Sequence, residues 1–276
     1  MMSFRFFLLI VGLALPLQPA EWKLVWSDEF DKPGLPDPAK WTYEEGFVRN
    51  NELQFYTRGR RENARVEDGM LIIETRKESW RNPQYDPQRQ QRSSRFSRET
   101  ADYTSASLVT QGIAEWKYGR VEVRARLPRG KGFWPAVWML GSNREKAGWP
   151  ACGEIDIMEN VGFDPDTIHG TIHTAKYNHV KKTQKGAQTI VPRLYEDFHV
   201  YAVEWNENRL DIFVDGRMYF SFTNEKSGPE AWPFDQPMYL ILNVAFGGSW
   251  GGQQGIDDST LPQSMAVDYV RVYARR

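Results

Sequence analysis

Residues 119–127 read GRVEVRARL, in which Val121, Val123, Ala125 and Leu127 alternate with Glu122, Arg124 and Arg126. Successive side chains of an extended strand point to opposite faces, so this period of two predicts a half-buried strand. Further along, NRLDIFVDGRMYFSF places Asp215-Gly216 between two apolar runs. That dipeptide is the turn signal of a two-residue β-hairpin. Similar runs occupy Met70–Thr75, Ile168–Thr174, Phe198–Trp205, Met238–Phe246 and Ala266–Ala274. No heptads and no long helical period intervene, so no crossover helices are available to support parallel strands. The expectation is an all-β fold: a two-sheet sandwich, mainly antiparallel, forming a single domain over residues 21–276. Lys77–Asp102 departs from the pattern, being rich in Arg, Gln, Ser and Pro. It reads as a long surface loop with a solvated charged face, contact with an anionic polymer being the alternative.

Composition narrows the function. Lysine and arginine number 35 against 36 acidic residues in 276, which gives no electrostatic case for nucleic acid or an anionic membrane as partner. The aromatic share is 14%, with 11 Trp, and stacking against sugar rings is one use for aromatic surface beyond what a core needs. A single cysteine, Cys152, excludes an internal disulfide framework and a multi-cysteine zinc site, and reads as a small buried residue. Residues 1–20 carry Arg5, an apolar run from Phe6 to Leu15 and a small residue at Ala20, the pattern of a signal peptide. The run falls short of the roughly 20 residues that span a bilayer. The expected mature chain is therefore a monomer, secreted or periplasmic and free of the membrane.

The chemistry concentrates in Gly153-Glu154-Ile155-Asp156-Ile157-Met158-Glu159-Asn160. On a regular strand Glu154 and Asp156 share one face, Ile155 and Ile157 point into the sandwich, and Glu159 faces the wrong way. A one-residue bulge near Ile157–Met158 returns Glu159 to the acidic face. The two Glu would then sit roughly 13 Å apart along the backbone, and inward-leaning side chains bring their carboxyl groups to about 5–5.5 Å, the spacing of a retaining glycosidase. Three acids on one face also raise at least one pKa, which supplies the asymmetry between nucleophile and acid that this reaction needs. The alternatives are an acidic strand facing solvent or a calcium site made by the same carboxylates.

Trp149-Pro150-Ala151-Cys152-Gly153 followed by EIDIMEN resembles the E-x-D-x-x-E signature of glycoside hydrolase family 16, nearest its laminarinase-type endo-β-1,3-glucanases. NNELQFYT (50–57), GKGFWPAVWML (130–140), HGTIH (169–173), NVAFGGSWGG (243–252) and VDYVRVY (267–273) resemble further blocks of that family in order. The resemblance implies a β-jelly-roll with a concave substrate cleft, acting on a polysaccharide such as β-1,3-glucan without a cofactor for the chemistry. It implies Glu154 as nucleophile, Glu159 as general acid/base and Asp156 as the carboxylate that tunes the nucleophile. Met158 matches the bulged motif rather than the shorter E-x-D-x-E of mixed-linkage lichenases. Siblings acting on agar- or carrageenan-type galactans share the bulged form, and glucan-binding lectins of this fold lack one or both Glu.

Around that motif, Trp134 and Trp138 share a face at i, i+4 and resemble tryptophans of the cleft, core packing being the alternative. Pro135 suggests an irregular or edge position. Trp149 carries the same ambiguity. His173 resembles the family histidine near the acid/base, and Asn51 a sugar-hydroxyl ligand, although Asn50-Asn51 also reads as a turn. GGSWGG reads as a loop presenting Trp250 to the cleft. A structural calcium is implied at Glu29, Gly69 and Asp268. In the block resembling YTSAR this chain has Ser107 where laminarinase-like members tend to carry Arg, a change that bears on a distal sugar subsite.

Overall fold

A computed structural model describes residues 21–89, 91 and 93–276. The expected signal segment, residues 1–20, lies outside the described residues. The chain runs β1 (Trp22–Asp28), β2 (Thr42–Glu44), β3 (Gln54–Tyr56), β4 (Ala64–Glu67), β5 (Met70–Arg81), β6 (Thr100–Ser105), β7 (Ser107–Val109), β8 (Gly119–Arg126) and β9 (Phe133–Gly141). A single helical turn, α1 (Arg144–Ala147), precedes β10 (Glu154–Glu159), β11 (Thr167–His173), β12 (Lys185–Ile190) and β13 (His199–Trp205). The remaining strands are β14 (Arg209–Val214), β15 (Arg217–Thr223), β16 (Met238–Phe246) and β17 (Gln263–Arg275).

Two sheets result. The larger follows the order β15-β14-β13-β8-β17-β5-β6-β3, with β1 and β4 paired onto β17 and β5. The smaller follows β12-β11-β10-β9-β16-β7-β2. Every pairing is antiparallel except the short one of β3 with β6. The period-two stretch behaves as its pattern demands: Val121, Val123 and Ala125 of β8 are fully buried and pack in one core with Val137 and Met139 of β9, Ile155 and Ile157 of β10 and Leu240 and Leu242 of β16. The sandwich is filled by alternate residues of both sheets. Asp215 and Gly216 join β14 to β15 with φ of 48° and 74°, the left-handed pair that matches the twist of a hairpin.

Two expectations need correction. Lys77–Asp102 is not one loop, because β5 continues through Arg81 and β6 resumes at Thr100. Ion pairs of Glu78 with Arg60 and of Lys77 with Asp258 let charged residues occupy strand positions. Trp80 packs beside Phe47, Phe55 and Ala101 in a small cluster of its own. Pro135 lies in β9, a central strand between β10 and β16. Its carbonyl accepts from the Asn160 amide at 3.3 Å, so its nitrogen faces the chain just beyond the end of β10, where no ladder bond is lost.

Candidate active site

The register of β10 shows the kink the motif requires. Against β9, Asp156 opposes Trp138, Met158 opposes Val137 and Glu159 opposes Ala136, so Ile157 is the extra residue. Against β11, Asp156 opposes Thr171 and Glu159 opposes His169, with the same one-residue shift. Ile157 and Met158 are both fully buried in the core, while Glu154, Asp156 and Glu159 all line the same groove of about 760 Å³ on the outer face of the smaller sheet. Tyr219 of β15, in the opposite sheet, reaches across and donates its hydroxyl to the Ile157 carbonyl at 2.9 Å. Gly170 leaves room for it, since a Cβ there would lie 2.6 Å from the Tyr219 oxygen. The bulge is thus pinned from behind.

Glu154 and Glu159 each have a tryptophan partner. Trp149 donates its indole N–H to Glu154 at 2.9 Å, and Trp134 donates to Glu159 at 2.9 Å. Burial, reinforced by the neighbouring Asp156 charge, pushes the Glu154 carboxyl up to about 8. Burial pushes Asp156 up to about 8 as well. Glu159 is pushed well above the ordinary carboxylate range by burial, then by the charges of Asp156 and Glu154. Three such groups are not all ionised together. His173 and the Trp149 indole favour the anion at Glu154, as His173 and the Trp134 indole do at Glu159, but burial outweighs them at both.

The expected substrate residues divide. Trp134, Trp138, Trp149, His173 and Trp250 all line the groove. Trp138 also packs into a small cluster with Ala136, Leu140, Cys152, Tyr239 and Ile241, and donates to Asn243 at 2.7 Å. Trp138 is 7% exposed and the Arg49 guanidinium lies over its ring, so packing accounts for most of it. Trp250 meets Trp134 edge-on at 5.4 Å and His169 at 5.1 Å. Cys152 is fully buried in the same cluster, and burial pushes its thiol up to about 11, which suits a packing residue.

Two assignments change. Asn51 is exposed and does not line the groove, whereas its neighbours Asn50 and Glu52 do. Asn50 and Asn51 both adopt left-handed φ, 55° and 53°, so the pair is a turn, and Asn50 is the one that faces the groove. His173 opposes Glu154 in register and sits 3.6 Å from Glu154 and 3.4 Å from Asp156, at the Glu154 end of β10 rather than opposite Glu159. The histidine facing Glu159 is His169, near Asp164 at 3.3 Å.

Arg49, Glu52, His169 and Tyr219 were not legible as site residues. Arg49 answers the substitution at position 107: Ser107 donates to Glu44 at 2.7 Å, Arg49 ion-pairs with that same Glu44, and its guanidinium lies over the Trp138 ring at 4.8 Å. A multi-donor cation thus stands in the groove wall, delivered from the segment before β3 instead of from β7. The only signal in sequence is an Arg adjoining the Asn-Asn turn.

The residues implied for calcium lie at the other sheet. Arg271 grips both oxygens of Glu29, at 3.0 and 2.8 Å, and Arg124 meets Asp268 at 2.6 Å. Both carboxylates are already neutralised by arginines, so these side chains do not fit a calcium site built from the pair.

The sandwich, the groove and the bulged acidic strand define a glycoside hydrolase. This chain belongs to glycosyl hydrolases family 16, whose model matches residues 52–271. The beta-glucanase of Rhodothermus marinus is 53% identical over 261 residues, covering 91% of this chain and 85% of that protein. The X-ray structure of the laminarinase from Rhodothermus marinus superposes with a TM-score of 0.84 at 51% identity, over 94% of this chain and 100% of that one. SCLam, described as a non-specific endo-β-1,3(4)-glucanase, superposes with a TM-score of 0.83 at 52% identity, over 94% of this chain and 93% of its own.

Proposed function

We propose that this protein is an exported endo-glucanase that cleaves internal β-1,3-glucosidic bonds of laminarin-like glucans with retention of configuration. The observation that carries the reading is the pinned bulge, which turns Glu159 to the face already held by Glu154 and Asp156. The ionised Glu154 carboxylate attacks the anomeric carbon while Glu159 gives its proton to the departing glycosidic oxygen, leaving a glycosyl ester on Glu154. Glu159, now a carboxylate, takes a proton from water as that water attacks the same carbon and frees Glu154. Trp149 and Trp134 hold the two carboxyls in place, and Trp250 gives the groove wall an apolar face for a sugar ring. No step in this sequence calls on a metal or organic cofactor.

Release of reducing ends from laminarin, with the newly formed anomer read by NMR, tests the proposal. β-Anomer appearing first supports it; no release from laminarin overturns the substrate, and α-anomer first overturns retention. Hydrolysis of agarose instead would place the protein with galactan-cleaving siblings. A second reading, activity on mixed-linkage β-1,3(4)-glucan as well, is favoured by the similarity to SCLam and is decided by the same assay on barley glucan. Export is tested by sequencing the N-terminus of the mature protein, which is expected to begin near Glu21.

A further inference from the structure

Three donor groups converge at the Glu154 end of β10. One ligand atom each from Glu154, Asp156 and His173 lies within 4.8 Å of the other two. His173 Nε2 is 3.4 Å from Asp156 Oδ2 and 3.6 Å from Glu154 Oε1. A tetrahedral site with bonds of about 2.0–2.2 Å to nitrogen and oxygen has donor–donor edges of about 3.3–3.6 Å, so these two edges already have the required length. Asp156 is 3% exposed, and its Oδ2 atom is buried without a hydrogen-bond partner. Among the described residues no lysine or arginine ion-pairs with Glu154, Asp156 or Glu159; Arg49, in the same groove, ion-pairs with Glu44 instead.

We propose that Glu154, Asp156 and His173 form an inhibitory binding site for a transition-metal dication, zinc(II) or copper(II), whose fourth position opens to the groove. The imidazole nitrogen selects the metal class: calcium and magnesium prefer cages of oxygen, whereas zinc and copper accept nitrogen with carboxylate. The ion inhibits because it occupies the carboxylate oxygen that attacks the sugar, so metal and glucan exclude each other. It is exchangeable rather than resident. His173 Nδ1 is buried without an acceptor, and a metal-bound histidine lacking that outer partner binds roughly 10–100-fold more weakly. The binding half of this proposal is independent of the glucanase reading; the inhibition half rests on it.

Zinc(II) alone is titrated into the chelator-stripped full protein by calorimetry, and cobalt(II) serves as an optical probe of tetrahedral geometry. One site is expected, with the intense visible bands of four-coordinate cobalt. His173→Gln and Asp156→Asn should each weaken zinc binding tenfold or more, while His169→Gln and Cys152→Ser leave it unchanged. Circular dichroism establishes that each variant is folded, and the cobalt spectrum of the wild-type protein decides the site without any variant. Absence of binding at millimolar zinc, or binding that His173→Gln does not weaken, overturns the site. Turnover of laminarin should fall as the site fills and return with chelator; a filled site with undiminished turnover overturns inhibition alone. A protein inactive on every glucan tested would overturn the glucanase reading and leave the binding result standing.

Discussion

On the larger sheet Glu122 and Glu204 share Arg120, Asp268 meets Arg124, and Glu29 holds both arms of Arg271. On the groove face of the smaller sheet the same residue types stand in a row as Glu154, Asp156 and Glu159, with tryptophan and histidine for company and, among the described residues, no lysine or arginine ion-paired to them. The consequence is opposite in sign. Arg271 holds the Glu29 carboxyl below its ordinary value, whereas burial lifts all three groove carboxyls. Paired acids on the outer sheet are surface chemistry that keeps strands soluble and in register. Unpaired, buried acids are held in an unfavourable state by the rest of the fold, and that state is what proton transfer to a leaving group uses.

The largest test of this contrast is Glu154→Gln. Activity on laminarin should fall by about 10⁴-fold or more, since the nucleophile is gone, while glucan binding measured by affinity electrophoresis stays within a few fold. Added azide should rescue Glu154→Ala to an α-glycosyl azide and Glu159→Ala to a β-glycosyl azide; the reverse pattern would exchange the two roles.

The same substitution should stabilise the protein. A carboxyl raised from 4.5 to about 8 by folding is harder to ionise in the native state than in the unfolded chain. Its contribution is complete below the unfolded value and is lost as pH rises toward the folded one, so at pH 7 the ionisable group destabilises by on the order of 3 kcal/mol relative to a neutral amide. Glu154→Gln is expected to raise Tm by about 5 °C or more at pH 7, with no gain at pH 4. Glu29 works the other way, stabilising above its ordinary pKa of 4.5 and ceasing to do so as pH falls through its lowered one. The pH–rate profile should be a bell whose two limbs both lie above pH 4.5, because burial lifts Glu154 and Glu159 alike. An acid limb at or below 4.5 would mean that the groove does not lift its nucleophile.

How far the contrast was legible depends on the range of the interaction. Val121, Val123 and Ala125 announce a strand because period two is written in adjacent residues, and Asp215-Gly216 announces a hairpin for the same reason. Glu154 and Asp156 fall on one face by parity alone. Glu159 required a bulge to be supposed, and what holds that bulge, Tyr219 against Gly170, lies on another strand in one case and another sheet in the other. That His173 meets Glu154 while His169 meets Glu159 is not written in either segment, because the register of β11 against β10 is a tertiary fact. Asn51 resembles a sugar ligand by position in its block alone, and which residue of a left-handed pair faces the groove is set by the turn that Asn50 and Asn51 make. Lys77–Arg81 read as loop because the partners that neutralise its charges, Arg60 and Asp258, are distant in sequence.

Tyr219 gives the next test. Tyr219→Phe removes one hydroxyl from the back of the bulge and nothing that touches substrate. If that bond fixes the angle between Glu159 and Glu154, kcat on laminarin should drop by about tenfold with KM little changed, because misplacement of a reacting group by a fraction of an ångström is felt in the chemical step. Azide rescue of Glu159→Ala should be unaffected by adding Tyr219→Phe, since the positioned group is then absent. A loss of the same size in that double variant would assign Tyr219 to general stability instead.

The smallest effect belongs to the arginine-paired acids, and it decides between two readings of Asp268. If Arg124 is its partner, Asp268→Asn removes a half-exposed ion pair worth about 0–1 kcal/mol, and Tm should shift by no more than about 3 °C. Calcium should then have no hold on the protein: Tm in excess EGTA and in excess calcium should agree for the wild type and for the variant alike. If instead the ion displaces the arginines, calcium will raise the wild-type Tm by several degrees and Asp268→Asn will remove that gain, because a ligand that binds only the folded state stabilises it in proportion to the logarithm of its concentration over Kd. Salt separates the readings further. Sodium chloride screens an exposed Arg124–Asp268 pair and should shrink the already small difference between wild type and variant, whereas a calcium-dependent gain survives at salt concentrations that leave the ion bound.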